Sequence, residues 1–138
     1  PVTRIDQTLP LPHYATPGSA AFDLYARERT EVPPGQIVRI PTNLIVRIPD
    51  GHVLLICSRS STPVKKGLSV PHGLGVIDRD YCGPKDELLA QVYNFTGQPV
   101  MIERGERIAQ AMVMPVATCQ LVETVPATES RGGFGSTG

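Results

Sequence analysis

Hydrophobic positions along the chain fall in short runs separated by turn residues, a pattern that predicts many short β-strands. The 138 residues include 14 prolines and 13 glycines, which leave no room for a long helical period. Short strands with frequent turn signals are typical of an all-β sandwich, jelly roll or barrel. The predicted strands cover residues 19–26, 36–40, 44–48, 52–57, 87–95, 100–102, 107–114 and, as a last candidate, 119–123.

Alternation along a strand assigns its side chains to two faces. Asp23 shares one face with Tyr25, while Phe22 lies on the other. Residues 52–57 read as a continuous apolar run, so both faces of that strand are expected to be covered. Gln110 is an amide among apolar neighbours, and leaving it buried without a partner costs about 1–3 kcal/mol. Its usual partner would be main chain, and a ligand is the alternative.

Residues 58–67 form the one segment that predicts a helix. Thr62 is a candidate cap, Pro63 suits the first helical position and Gly67 can end the helix. The free N–H groups at such a start attract anions, so the segment is either a phosphate site or an ordinary capped turn at the surface. Three polar residues lie beside this start: Arg59, Ser60 and Ser61.

Residues 73–83 combine flanking glycines with a short apolar strand, two carboxylates and an aromatic ring. On an extended segment Asp78 and Asp80 point to one face and Tyr81 to the other. A tight apolar hairpin of this kind could hold a small flat ligand. The alternative is a polar β-turn with two solvated aspartates.

Composition and charge exclude several classes of function. The formal net charge is zero, which predicts neither a basic face for nucleic acid nor a polybasic membrane anchor. The sequence has no apolar run of membrane-spanning length and no secretory signal at its start, although an initiator methionine or leader before Pro1 is left open. Its three cysteines are widely spaced, which argues against a zinc site or a disulfide framework and indicates a reducing compartment such as the cytoplasm.

The last nine residues, 130–138, are too rich in glycine to fold alone. They are either a disordered tail or a flap that stacks the ring of Phe134 on a base and wraps main-chain N–H groups around phosphate. A single Phe134 among glycines, preceded by Arg131 and followed by two hydroxyls, argues for the flap. We therefore divide the chain into a folded domain, residues 1–129, and a C-terminal flap, residues 130–138, that is expected to belong to the same site.

The sequence resembles the trimeric deoxyuridine triphosphate nucleotidohydrolase (dUTPase) family over nearly its whole length. The third and fifth of the segments that carry this resemblance are the specific ones. In chain order the segments are Ser19-Ala-Ala-Phe-Asp-Leu-Tyr25, Ser58-Arg-Ser-Ser61, Gly73-Leu-Gly-Val-Ile-Asp-Arg-Asp-Tyr-Cys-Gly83, Gly105-Glu-Arg-Ile-Ala-Gln110 and Arg131-Gly-Gly-Phe-Gly-Ser-Thr-Gly138.

The resemblance implies a distorted jelly roll, or β-clip, that forms one domain with one short helix. It also implies a homotrimer with three active sites, each assembled from all three subunits. The implied reaction converts dUTP to dUMP and pyrophosphate, which keeps uracil out of DNA and supplies dUMP for thymidylate synthesis. Mg²⁺ would be held chiefly by the triphosphate without a direct protein ligand, and Asp23 would bond metal-bound water.

The resemblance also implies a role for each matched residue. Asp78 would activate the attacking water and bond the sugar 3′-OH, and Tyr81 would pack on the deoxyribose. The main chain of residues 73–81 would read the uracil edge, with Gly73, Gly75, Val76 and Ile77 in contact with the base. The residues implied to bind the phosphates are Arg59, Ser60, Ser61 and Gln110. In the flap Phe134 would cover the uracil, while the residues implied to close on the β- and γ-phosphates are Arg131, Gly135, Ser136 and Thr137.

The sequence departs from the family pattern at a few positions. Ala21 and Ser58 stand where the family usually has glycine. The spacing from Arg131 to Phe134 is shorter than usual, which bears on the γ-phosphate role of the arginine. Residues 84–87 lengthen the link after the third segment, and we expect a surface bulge there.

Two other functions are compatible with this kind of fold. A dCTP deaminase would need a catalytic glutamate at the position of Gln91, and an amide cannot shuttle that proton. A nucleotide-binding signalling trimer without turnover is the alternative from another class, and the intact Asp78 argues against it.

Overall fold

The computed structural model describes residues 1–126, 129–130 and 132. Those residues form an all-β structure with one short helix, which confirms the predicted fold class. The strands are β1 (Val2–Arg4), β2 (Phe22–Tyr25), β3 (Thr30–Val32), β4 (Ile37–Pro41), β5 (Leu44–Val46), β6 (His52–Cys57), β7 (Leu68–Ser69), β8 (Gly75–Ile77), β9 (Leu89–Asn94), β10 (Val100–Ile102) and β11 (Arg107–Pro115). The helix is α1 (Ser61–Lys66).

The strands pair antiparallel in four small sheets. The largest has the order β2-β11-β6-β8, the next has the order β4-β9-β7, and β1-β5 and β10-β3 are two-stranded. One cluster of buried side chains joins all four sheets, because every sheet contributes to it. Leu24, Leu54 and Ala111 belong to the largest sheet, while Ile40 and Val92 come from the three-stranded one.

One strand prediction was wrong, and one was confirmed with a different burial. Residues 119–123 form no strand and are exposed, because no neighbouring strand lies beside them to pair with. In β6 only Leu54 and Ile56 are buried, and the side chains between them are half-buried. The strand at 52–57 is therefore confirmed as β6, with one face in the core and the other partly covered.

The helix begins two positions earlier than its sequence suggests. Ser60 precedes the first helical residue, and no side chain caps the helix. Thr62, the predicted cap, is buried inside the helix. Gly67 ends the helix as predicted, because it takes the left-handed conformation at φ 64° and donates its N–H to the Pro63 carbonyl at 2.9 Å. A Cβ at Gly67 would lie 2.0 Å from Cγ2 of Thr96, so the close approach also requires glycine.

Residues 73–83 contain one strand rather than a hydrogen-bonded hairpin. β8 pairs with β6, and no second strand follows it within the segment. The N–H of Tyr81 donates to the Asp78 carbonyl at 3.2 Å, so the chain turns directly after Asp78. The extended alternation that would separate Asp78 from Tyr81 therefore ends at the turn.

The longer link after this segment forms a closed turn of its own. The N–H of Gly83 donates to Oδ2 of Asp86 at 2.7 Å, and the N–H of Asp86 donates back to the Gly83 carbonyl at 3.1 Å. The extra length is absorbed between these two residues. Lys85 is exposed at the tip, which fits the expected surface bulge.

An ion pair joins Glu87, the last residue of this link, to Arg27 after β2. Arg27 donates from Nε and Nη2 to the two carboxylate oxygens of Glu87, at 2.9 and 3.0 Å. The N–H of Asn43 donates to the same carboxylate at 2.7 Å, and Asn43 holds a left-handed φ of 72°. The hydrogen bonding to Glu87 raises the pKa of Arg27 above its ordinary value. The loop after β2, the loop after β4 and the loop before β9 are thus all fixed at the Glu87 carboxylate.

We predict that Arg27→Met lowers the free energy of unfolding by about 1–3 kcal/mol, because the half-buried Glu87 carboxylate loses its cation. Urea unfolding at a fixed protein concentration measures the change. Arg29→Met is the matched control, since its pair with Glu103 is exposed, with side-chain exposures of 66% and 62%. We expect the control to shift stability by less than about 0.5 kcal/mol. Equal shifts in both variants would contradict the prediction.

Candidate active site

A polar cavity of about 260 Å³ lies beside the ends of β2, β6 and β11. Its centre is the Asp23 carboxylate, which accepts from Arg59 Nε at 2.6 Å and from Arg107 Nη1 at 3.2 Å. Two guanidinium groups therefore face one carboxylate, which leaves the cavity with an excess of positive charge. The residues that line it are His13, Ala15, Ser19, Ala21, Asp23, Arg59, Ser60, Arg107 and Gln110.

A bulge in β11 brings Arg107 into this cavity. Gln110 pairs with Asp23 in the register of β11 and β2, and Arg107 pairs with Tyr25. Directly opposed residues share a face, so Arg107 and Gln110 lie on the same face as Asp23 although they are three positions apart. The register shift between Arg107 and Ala109 makes this possible. Sequence analysis missed Arg107 because simple alternation sends it to the opposite face.

The amide of Gln110 has a main-chain partner. Its Nε2 donates to the Ser58 carbonyl at 2.9 Å, which leaves one amide hydrogen and the oxygen for other contacts. Ser58 also accepts the N–H of Val70 on its hydroxyl at 2.9 Å. The serine that replaces the family's usual glycine thus fixes the end of β6 to the segment after β7.

A second cavity, of about 370 Å³, lies between β8 and β9. These strands belong to different sheets and do not pair with each other. We call this space the base cavity because the residues predicted to contact the base, Gly75, Val76 and Ile77, line it. The residues that line it are Ile56, His72, Leu74, Gly75, Val76, Ile77, Leu89 and Gln91.

The strand β8 offers unpaired main-chain groups to this cavity. It lies at the end of the strand order β2-β11-β6-β8, so only one of its edges is paired. In an antiparallel pair every second residue points its N–H and C=O away from the partner strand. The outer edge of β8 therefore presents fixed donors and acceptors, as the edge of a nucleobase does.

Asp78 is exposed just beyond β8 and lines a third cavity, of about 520 Å³, together with Val76. Its carboxylate makes no hydrogen bond or ion pair with the rest of the described chain. Its neighbour Arg79 is instead paired with Asp50 at 2.5 Å, and this hydrogen bond raises the pKa of Arg79. Asp78 is thus a carboxylate with free lone pairs at the surface.

Tyr81 is held by the link that follows it. Its hydroxyl donates to the Glu87 carbonyl at 3.2 Å, and the Glu87 side chain is fixed by Arg27. Tyr81 is 38% exposed, so part of its side chain is available for contact. The ion pair described above therefore also positions this aromatic side chain.

The structure groups only some of the predicted site residues. Arg59, Ser60 and Gln110 meet Asp23 in the polar cavity, while Gly75, Val76 and Ile77 line the base cavity, and the two cavities share no lining residue. Ser61 is the first residue of α1, and Gly73 takes a left-handed φ of 75° in the loop before β8. The predicted flap residues fall outside the described part of the chain: Arg131, Phe134, Gly135, Ser136 and Thr137.

Two features are absent from the part of the chain that the structure describes. Over that part of the chain, no three or more histidine, cysteine, aspartate or glutamate side chains converge as metal ligands would. The same residues include no helix with the length and apolar character that crossing a bilayer requires.

A cationic polar cavity and a largely apolar cavity beside an unpaired strand edge, on an all-β scaffold, are the features expected of a protein that binds a nucleotide. Comparison with known proteins narrows this class. The dUTPase family model matches residues 7–138. The deoxyuridine 5′-triphosphate nucleotidohydrolase of Dictyoglomus turgidum is 43% identical, over 99% of this chain and 96% of its own length. The corresponding protein of Lactococcus lactis is 41% identical, over 93% of this chain and 87% of its own.

The solved structures agree with the sequence relatives. The crystal structure of dUTPase from Streptococcus mutans superposes with a TM-score of 0.81 at 39% identity, covering 86% of this chain and 98% of its own. The chain therefore belongs to the dUTPase family, and the resemblance read from its five segments is confirmed.

Proposed function

We propose that this chain hydrolyses dUTP by in-line attack of a water molecule that Asp78 activates, in sites shared between the subunits of a homotrimer. Membership of the family identifies the reaction as that of a dUTP diphosphatase. The residue roles, the metal and the assembly are our proposal. The observation that carries it is the exposed, unpaired carboxylate of Asp78 directly after the strand edge that faces the base cavity.

The reaction requires one general base and positive charge placed beside the phosphates. Water oxygen forms a bond to the α-phosphorus, the bond from that phosphorus to the α–β bridging oxygen breaks, and pyrophosphate leaves. The water proton passes to Asp78, which needs only to lie within hydrogen-bond reach of the water. Binding and orientation of the triphosphate supply most of the remaining rate, because no covalent intermediate is required.

The polar cavity supplies donors for the phosphate oxygens. Arg59 and Arg107 carry two positive charges against the single negative charge of Asp23. A bound triphosphate can therefore compete for the guanidinium groups, and the free N–H of the Gln110 amide adds a neutral donor. Ser60 is exposed at the same rim and contributes its hydroxyl.

The surroundings of Asp23 are compatible with its proposed role of bonding Mg²⁺-bound water. It is the one carboxylate among the residues that line the polar cavity, and carboxylate oxygens suit the water shell of this cation. Mg²⁺ bound to the triphosphate neutralises charge on the phosphate oxygens. In our proposal Asp23 accepts hydrogen bonds from the metal-bound water and holds Arg59 in place.

The homotrimer accounts for the separation of the site elements. One chain keeps the polar cavity apart from the base cavity and from the cavity that Asp78 lines, because it shares no lining residue with either, so a site that needs all of them draws on more than one subunit. Residues after β11 support contact with another subunit, since Leu121 is 91% and Val125 is 82% exposed in the single chain. Closed symmetric assemblies are common among such proteins.

The C-terminal flap completes the proposed site. Phe134 stacks on the uracil, and the main chain and hydroxyls of Gly135, Ser136 and Thr137 close on the β- and γ-phosphates. Arg131 has a shorter spacing to Phe134 than the family pattern, so we assign the γ-phosphate contact chiefly to Ser136 and Thr137. The three free cysteines support a reducing compartment, and we propose the cytoplasm.

The structure disfavours the deaminase alternative on a specific contact. Gln91 lines the base cavity, where a deaminase would need a carboxylate to move a proton. An amide in that place can pair with a base but cannot act as its acid or base.

The first test is a pyrophosphate-release assay with dUTP, dTTP, dCTP and UTP, with and without Mg²⁺. We expect kcat/KM for dUTP with Mg²⁺ to exceed the others by at least about 100-fold, because fixed polar groups penalise a mismatched base strongly. Ammonia release from dCTP would identify a deaminase instead. Tight binding of dUTP for hours without pyrophosphate would identify a signalling protein.

The second test replaces the proposed base. We expect Asp78→Asn to lower kcat by about 10²–10⁴-fold with little change in dUTP affinity, since the water loses its proton acceptor while the binding groups stay. Asp50→Asn is the control, because Asp50 is an exposed carboxylate that lines the same cavity. Unchanged turnover in Asp78→Asn would mean that another residue activates the water.

The third test removes residues 130–138. We expect the truncated protein to keep its fold and trimeric state by circular dichroism and light scattering, while losing most of its activity, because the flap closes the site without being part of the core. Hydrolysis at the full rate after truncation would show that these residues have no catalytic role.

A further inference from the structure

We propose that Gln91 is a substrate-binding residue, whose side-chain amide pairs with the polar edge of uracil held between β8 and β9. This inference rests on the proposed function, because it assigns a further contact to the same substrate. Neither the five family segments nor the roles given above include this residue.

The side chain of Gln91 points into the base cavity. Along β9, Ala90 and Val92 are buried in the core, so the residues between and beside them face the other way. Leu89 and Gln91 share that outer face and both line the cavity. Gln91 is half-buried, which keeps its amide close to whatever fills the space.

The amide of Gln91 has no hydrogen-bond partner elsewhere in the described chain. Most of the surrounding wall is aliphatic, and it includes Ile56, Leu74 and Leu89. The other polar side chain in the wall is His72, whose Nδ1 lies 2.8 Å from the Leu74 carbonyl. A carbonyl only accepts, so that nitrogen carries its proton and is engaged within its own loop. Gln91 is therefore the side chain in this wall that can offer a ligand both a hydrogen-bond donor and an acceptor.

Uracil and cytosine differ on the edge that such an amide meets. Uracil presents an N3–H donor and an O4 acceptor, whereas cytosine presents an N3 acceptor and an N4 amino donor. A glutamine can match either base by turning its amide, so by itself it adds affinity rather than choice. The fixed groups on the outer edge of β8 determine which base is accepted. Gln91 then donates its N–H to O4 of uracil. A carboxylate in its place could only accept, and its oxygens would repel O4.

The test compares Gln91→Met, Gln91→Glu and the control Gln98→Glu. Gln98 undergoes the same chemical change but lies exposed in the turn before β10. Steady-state kcat and KM are measured for dUTP and dCTP by pyrophosphate release. For Gln91→Met we expect KM for dUTP to rise about 3–10-fold with kcat within about twofold, because one hydrogen bond is lost away from the reacting phosphorus.

For Gln91→Glu we expect kcat/KM for dUTP to fall about 100-fold, because the carboxylate repels O4 of uracil. The ratio of kcat/KM for dUTP to that for dCTP should fall by more, because the carboxylate accepts from the N4 amino group of cytosine. Gln98→Glu should keep the wild-type ratio. A ratio for Gln91→Glu within about threefold of this control would overturn the inference. If Gln91→Glu does not fold, an unchanged KM in Gln91→Met would overturn it instead. Failure of the wild-type protein to hydrolyse dUTP would be the distinct failure of the proposed function.

Discussion

The carboxylate of Glu87 is the point on which the arrangement of the sheets depends. The strands are divided among four sheets, which side-chain contacts and main-chain hydrogen bonds in the loops hold together; the N–H of Arg27, for example, donates to the Pro41 carbonyl at 2.8 Å. Glu87 accepts two hydrogen bonds from Arg27, which is 60 positions away, and a third from the N–H of Asn43. It therefore fixes the loops after β2 and β4 to the loop before β9. Because its main-chain carbonyl accepts the Tyr81 hydroxyl, the same anchor sets the aromatic side of the site.

The strand β6 organises the two cavities from the centre of the largest sheet. One of its edges pairs with β11, which carries Gln110 to the polar cavity, and its other edge pairs with β8, which forms a wall of the base cavity. Charge is concentrated in one cavity and apolar surface in the other. The separation suits a substrate with an anionic part and a flat uncharged part, since each part meets a surface of its own kind.

The parts of the fold that could be predicted are those set by local pattern. Short apolar runs located most strands, and alternation placed Asp23 on its correct face. Non-local effects account for the errors: Arg107 reaches the polar cavity through a bulge that alternation does not reveal, and residues 73–83 pair with β6 rather than with themselves. Thr62 is a good cap by type, but the core buries it inside the helix. In our proposal, Asp78 and the flap meet the phosphates in a site shared between subunits, and no local pattern encodes such an arrangement.

The exposed edge of β8 has a consequence for the protein without its substrate. An unpaired edge can template the addition of a strand from another molecule and so begin aggregation. Here the edge spans only Gly75–Ile77, starts at a glycine and is followed at once by the charged residues Asp78 and Arg79, all of which limit such growth. A nucleobase seated against this edge would occupy its free donors and acceptors. A bound nucleotide would therefore hinder aggregation of the protein at this edge, in addition to being its substrate.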